Sequence, residues 1–110
     1  MNALRRIWTA GGIVVNGWVN LPCAFSAELI ARAGFDSLTI DLQHGLHDYA
    51  SMLACLQAIG DMPALVRVPW NEPAMVGRAL DAGAAGSGSR WTMPITTLRR
   101  PNRACSGCGF

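Results

Sequence analysis

The sequence predicts an α/β domain with a parallel sheet, and three observations point there. Short apolar runs rich in β-branched residues recur at residues 13–21, 35–41 and 64–67. Between and after them lie segments with apolar residues at helical spacing, each closed by a glycine: Gly34, Gly60 and Gly83. The strand runs are nearly continuous in apolar character, as strands covered on both faces are. A β-α-β-α-β-α order with short loops then calls for right-handed crossovers that lay helices against the sheet.

Residues 2–9 form a short leading helix with Leu4 and Trp8 on one face. The first strand, 13–21, follows. Ser26 is suited to N-cap a helix to Ala33, with Leu29, Ile30 and Ala33 on its apolar side. After the second strand, 35–41, Asp48 caps a helix in which Met52, Leu53, Leu56 and Ile59 recur up to Gly60. Met62-Pro63 turns the chain into the third strand, 64–67, which Pro69 ends. Asn71-Glu72-Pro73 supplies a cap and a first-turn proline for a last helix. Met75, Val76, Ala79 and Leu80 form that helix's apolar face, and Asp81-Ala82-Gly83 closes it. A fourth strand is due after Ala85, but residues 86–110 show no helical or strand period. The expected organisation is a folded unit over 1–85 and an irregular tail over 86–110. Gly86-Ser87-Gly88-Ser89 lacks the lysine of a phosphate loop and opens no helix.

The chain has 110 residues, room for one small domain, and 51% hydrophobic residues, a globular rather than a disordered composition. Charge is segregated. Seven acids and five arginines lie in residues 1–85, whereas 86–110 holds four arginines and no acid. All nine basic residues are arginine, so this chain offers no amine for Schiff-base catalysis on a carbonyl. Arg5-Arg6 and Ala24-Phe25-Ser26-Ala27 imitate a secretory leader, but Trp8, Asn16, Trp18, Asn20 and Pro22 interrupt a core that should run ~7–15 apolar residues. No run approaches the ~20 apolar residues of a membrane span. The expectation is a cytoplasmic protein with no membrane partner. Cys23 and Cys55 read as small buried hydrophobes.

Polar groups gather where strands end. The second strand breaks into Asp41-Leu42-Gln43-His44-Gly45-Leu46-His47-Asp48, and the third ends on Arg67. Parallel α/β enzymes build their sites at these carboxyl ends. Histidine is suited to moving a proton near neutral pH, and a fixed guanidinium to stabilising charge on an oxygen. Taken alone, His44 is better read as a satisfied loop histidine. Asp41 reads as orienting the loop, His47 as a surface residue or helix-start partner, and Trp70 as packing.

A likeness to a known family reverses the balance for His44. Gly17-Trp18-Val19, the run from Ser26 to Asp36, Ile40-Asp41-Leu42-Gln43-His44-Gly45, Val66-Arg67-Val68-Pro69-Trp70-Asn71 and Leu80-Asp81-Ala82-Gly83-Ala84 resemble the HpcH/HpaI aldolases in order and spacing. The resemblance covers residues 12–85. It implies a metal-dependent class II aldolase that cleaves 4-hydroxy-2-oxo acids, such as 4-hydroxy-2-oxoheptanedioate or 2-dehydro-3-deoxyglucarate, through a stabilised enolate. It implies a (β/α)8 TIM barrel, of which this chain carries the first three β-α units, and a homo-oligomer, usually a hexamer. A complete barrel takes about 250 residues. Carried over position by position, His44 is the catalytic base, Arg67 binds substrate and stabilises the enolate, and Asp81 raises the basicity of the histidine. Asp81 falls at the end of its helix opposite the strand ends, so that role calls for a contact across subunits or for a helix end placed elsewhere. The implied partners are a 2-oxo acid and an aldehyde, with no nucleic acid.

The tail departs from the family. The family's divalent metal (Mg, Mn or Co) is held by a Glu and an Asp of later strands, and no acid follows Asp81 here. Metal ligands are therefore expected to be absent, and the chain is expected to be an inactive fragment. Trp91-Thr92-Met93-Pro94 can be encoded so that a shifted frame reads Met-Asp-Asn-Ala, a family-like turn, which points to a frameshift near Gly86. Two other readings compete. Cys105-Ser106-Gly107-Cys108 could be half of a zinc site or a redox pair, though no second knuckle accompanies it and it opens no helix. The arginine-rich tail could bind nucleic acid, but only weakly and with strong salt dependence.

Overall fold

The three apolar runs pair side by side in chain order. The computed structural model describes residues 3–88 together with Thr97–Leu98. Its elements are α1 (Ala3–Thr9), β1 (Asn16–Val19), α2 (Ala24–Ala31), β2 (Ser37–Asp41), α3 (Tyr49–Ile59), β3 (Ala64–Arg67), α4 (Pro73–Asp81), β4 (Gly86–Gly88) and β5 (Thr97–Leu98). The strand order is β1-β2-β3-β4-β5, parallel through β4, with β5 antiparallel to it. Trp18 pairs with Thr39, and Asp41 with Arg67. Those two registers set the site.

The sheet has two unlike faces, because successive side chains point to opposite sides. On one face Val19, Leu38, Ile40, Ala64 and Val66 join Ala27 of α2, Met52, Cys55, Leu56 and Ile59 of α3, and Ala79 of α4 in a single buried cluster. Gly17 makes this packing possible, since a Cβ there would stand 2.7 Å from Leu38 and 2.9 Å from the Phe35 ring. The other face is polar. The Asn16 amide donates to Ser37 Oγ at 2.7 Å, and Thr39 Oγ1 donates to Asn16 Oδ1 at 2.9 Å. Ser37, Thr39 and Asp41 are buried along this face with hydrogen-bond partners, as buried polar groups must be.

Most helix ends fall where the caps place them. Asp48 Oδ1 accepts from Ser51 N, and Ser51 Oγ accepts from Asp48 N, a reciprocal box that starts α3. Gly60 closes α3 at φ 70°. Glu72 caps α4 ahead of Pro73. Several boundaries differ from expectation: β2 starts at Ser37 rather than at 35, α2 stops at Ala31 rather than at Ala33, and two more change what is exposed. The first strand shrinks to Asn16–Val19, leaving Ile13 and Val15 exposed. The helix expected from Ser26 begins at Ala24, because extended Cys23 serves as its N-cap and Leu21 O already accepts from Cys23 N. Cys23 is accordingly exposed rather than buried, while Cys55 is buried, which pushes its thiol pKa up.

The larger difference lies past Ala85. The pattern does not stop there: Ala85 N donates to Ala64 O at 2.7 Å, and Gly86–Gly88 runs parallel to β3. Strand pairing uses backbone groups, so a Gly-Ser-Gly strand forms without any side-chain period to reveal it. The β3 edge is thereby covered. Cys105, Cys108 and the tail arginines lie outside the described residues. Among the described residues no helix is long and apolar enough to cross a membrane.

Candidate active site

Asp41 is the hub of the carboxyl end of the sheet. Its side chain is 2% exposed and accepts five hydrogen bonds. Arg67 reaches it across the β2–β3 register with a fork, Nε to Oδ1 at 2.9 Å and Nη2 to Oδ2. The Trp18 indole N–H donates to Oδ2 at 3.1 Å. The backbone N–H groups of Gln43 and His44 donate to Oδ1 at 2.9 and 3.0 Å. Burial pushes the Asp41 carboxyl up, but the Arg67 fork, the His44 N–H, the indole and the Gln43 N–H outweigh it and hold the group well below the usual carboxylate range. Asp41 is an anion with no lone pair to spare. It orients the loop, as the sequence suggests.

That loop is tied at nearly every residue. Leu42 N donates to Arg67 O at 2.9 Å, which extends the β2–β3 ladder, and Leu46 N donates to Asn20 O at 3.1 Å. Gly45 sits against the strand end so closely that a Cβ would stand 2.2 Å from Asp41 O. His47 is half-buried and is the helix-start partner rather than a surface residue, since it meets Ser51 of the box that starts α3. Its Nε2 lies 3.1 Å from Val19 O and its Nδ1 3.0 Å from Ser51 Oγ. A carbonyl can only accept, so Nε2 carries the proton and Nδ1 faces the serine hydroxyl. Burial lowers the His47 pKa, outweighing the Val19 carbonyl and the charges of Asp41 and Asp48. His44 is the opposite case. Its backbone is pinned to Asp41, while its exposed ring has no hydrogen bond or ion pair among the described residues.

Arg67 is held from two sides, with its Cζ 5.0 Å from the Trp18 ring centroid while the fork grips Asp41. Its Nη1 has no partner among the described residues. Sequence reasoning attached no role to Trp18. The signal was present in parity: Asn16 and Trp18 alternate onto the face that carries Thr39, Asp41 and Arg67 once the strands pair. Trp70, expected to pack, is 63% exposed just beyond β3.

Of the three residues singled out from sequence, the structure brings His44 and Arg67 to the same carboxylate and leaves Asp81 apart. Asp81 is the last residue of α4, exposed, at the end of the sheet where strands begin. A helix that starts beside the carboxyl end of β3 must finish at the opposite end, so within this chain Asp81 does not meet His44.

The residues described do not form a metal site. Among them no group of three or more His, Cys, Asp or Glu side chains could hold an ion, and Asp41 is saturated by donors. One buried acceptor in the loop, Gln43 Oε1, has no hydrogen-bond partner among the described residues. A single neutral oxygen is too little to hold a divalent cation, which takes about six oxygen ligands.

No protein-family model matches the chain. Among curated proteins, it is 38% identical over 88 residues to a hydroxypyruvate/pyruvate aldolase of Rhizorhabdus wittichii, covering 78% of this chain and 35% of that protein. It is 40% identical over 85 residues to a 4-hydroxy-2-oxo-heptane-1,7-dioate aldolase of Salmonella arizonae, covering 76% and 32% respectively. Among solved structures, an HpcH/HpaI aldolase/citrate lyase family protein from Burkholderia cenocepacia superposes with a TM-score of 0.70 at 37% identity, over 79% of this chain and 36% of that one. The chain thus spans about a third of the length of the curated relatives it matches.

Proposed function

Because the chain belongs to the HpcH/HpaI aldolases through the N-terminal part of that family's sequence, we propose that it carries the proton-transfer half of a pyruvate-dependent aldolase site, with His44 as the base and Arg67 as the oxyanion partner. The observation that supports this most is the shared anchor: one buried carboxylate, Asp41, fixes both the His44 backbone and the Arg67 guanidinium, yet leaves the His44 ring and Arg67 Nη1 open. In the cleavage direction the His44 ring takes the proton of the C4 hydroxyl of a 4-hydroxy-2-oxo acid. The C3–C4 bond breaks, the aldehyde leaves, and the electron pair becomes the enolate of pyruvate. Arg67 then hydrogen-bonds the oxygen on which charge collects. Return of the proton to C3 completes pyruvate.

On this reading residues 1–85 form the first three β-α units of a (β/α)8 barrel, with the polar sheet face turned to its interior. The divalent ion implied by the family would need ligands from outside the described residues, and it would supply Lewis-acid stabilisation of the enolate. Asp81 would act, if it acts on His44, from a neighbouring subunit of a homo-oligomer. The tail from about residue 86 is read as the product of a shifted frame, and this chain as inactive by itself. An open alternative frame encoding further strands at the locus supports that origin, and a closed one removes it.

The activity is tested by fusing residues 1–85 to the remaining two thirds of the Salmonella arizonae relative and following pyruvate release from 4-hydroxy-2-oxoheptanedioate. Turnover by a folded fusion, lost in its His44→Gln form, is the expected result. A folded fusion that is inactive, or one indifferent to His44, overturns the assignment.

A further inference from the structure

A cavity of about 230 Å3 opens between α3 and α4 on the helix side of the sheet, away from the face that carries Arg67. Leu42 and Val68 line it from the strand ends, Met52 from α3 and Met75 from α4. Its cationic group is Arg78, whose Cζ lies 4.2 Å from the Tyr49 ring centroid. Arg78 has no hydrogen-bond or acid partner among the described residues. The neighbouring acids are engaged elsewhere. Asp48 accepts from Ser51 N, and Glu72 from the N–H groups of Ala74 and Met75. His47, also on the wall, has both ring nitrogens occupied.

An apolar cavity with one unpaired cation at its edge selects for a ligand with an apolar body and a single negative charge. Two methionines adapt to the shape of an aromatic ring and make favourable sulfur–ring contacts. A carboxylate can take the open edge of Arg78 with two parallel hydrogen bonds. An inorganic anion would leave the apolar wall uncovered, and a neutral aromatic would leave the guanidinium unpaired. We propose that the groove between α3 and α4 is a binding site for a small aromatic monocarboxylate anchored by Arg78. It is separate from the aldol site and does not rest on that assignment.

The test uses the full chain with methyl-labelled methionine and benzoate as the probe. Met52 and Met75 methyl signals should shift saturably, with a dissociation constant on the order of 1 mM for so small a ligand, while Met62 at the far end of β3 stays still. Arg78→Gln, at an exposed position, should weaken binding at least tenfold, and Arg78→Lys should restore part of it. Benzyl alcohol and acetate should each bind at least tenfold more weakly than benzoate. No saturable shift, equal affinity for benzyl alcohol, or indifference to Arg78→Gln overturns the proposal. If the methyl spectrum of the chain lacks folded dispersion, the same titration on the fusion with the Salmonella arizonae relative decides by the same criteria.

Discussion

Asp41 and Arg67 stand opposite each other in the β2–β3 register and are joined by a two-pronged ion pair whose carboxylate also binds the backbone of His44. The strand pairing, the loop conformation and the aim of the guanidinium therefore depend on one side chain. Replacing Asp41 by Ala should cost about 3 kcal/mol, the usual scale for leaving a buried charge without its partner. Urea unfolding of Asp41→Ala, with Arg67→Met and the double variant completing a cycle, measures it. The double variant should recover part of the loss.

Acid should reveal two separate groups. Asp41 titrates well below its ordinary 3.8 in the folded chain, so its stabilisation is full above about pH 4 and is lost as pH falls further. His47 is held below its ordinary 6.5, so the unfolded chain takes up that proton first and stability declines as pH drops below about 6.5. Melting temperatures from pH 8 to 3 should show both declines. His47→Gln should remove the upper one, and Asp41→Asn should reduce the lower one, to which Asp48, held low by its bonds to Ser51, also contributes.

Gly45 is irreplaceable for a steric reason. Alanine there would put a Cβ 2.2 Å from the Asp41 carbonyl oxygen, so the loop must open. Gly45→Ala should destabilise by about 2 kcal/mol, on the scale of other overpacking substitutions. Amide exchange should show the Gln43 and His44 N–H groups losing protection.

Trp18 offers Arg67 a ring and Asp41 a donor. Trp18→Phe keeps the first and removes the second, so its expected cost is about 1 kcal/mol, that of one hydrogen bond. Trp18→Ala removes both and should cost more. Equal effects in chemical unfolding would mean that the ring contributes nothing beyond its N–H.

The three β-α units were legible because apolar period, caps and closing glycines agreed, as at Asp48 with Ser51 and at Gly60. His44 and Arg67 were legible as polar residues placed where strands end. Trp18 was missed because its role exists only after β1 and β2 pair, and no local pattern records which side chains alternate onto one face. β4 was missed because Gly86–Gly88 pairs through backbone alone. Cys23 was misread because an extended N-cap residue sits at the surface whatever its neighbours suggest.

Exchange of the pyruvate methyl protons for deuterium, catalysed by the fusion of residues 1–85 to its relative's remaining strands, isolates the proton-transfer step from aldehyde chemistry. His44→Gln should leave the melting curve within about 0.5 kcal/mol of the parent, since the ring is exposed and unpaired, while slowing exchange at least 100-fold. Exchange that persists at the parental rate in His44→Gln would contradict the assignment of His44 as the base.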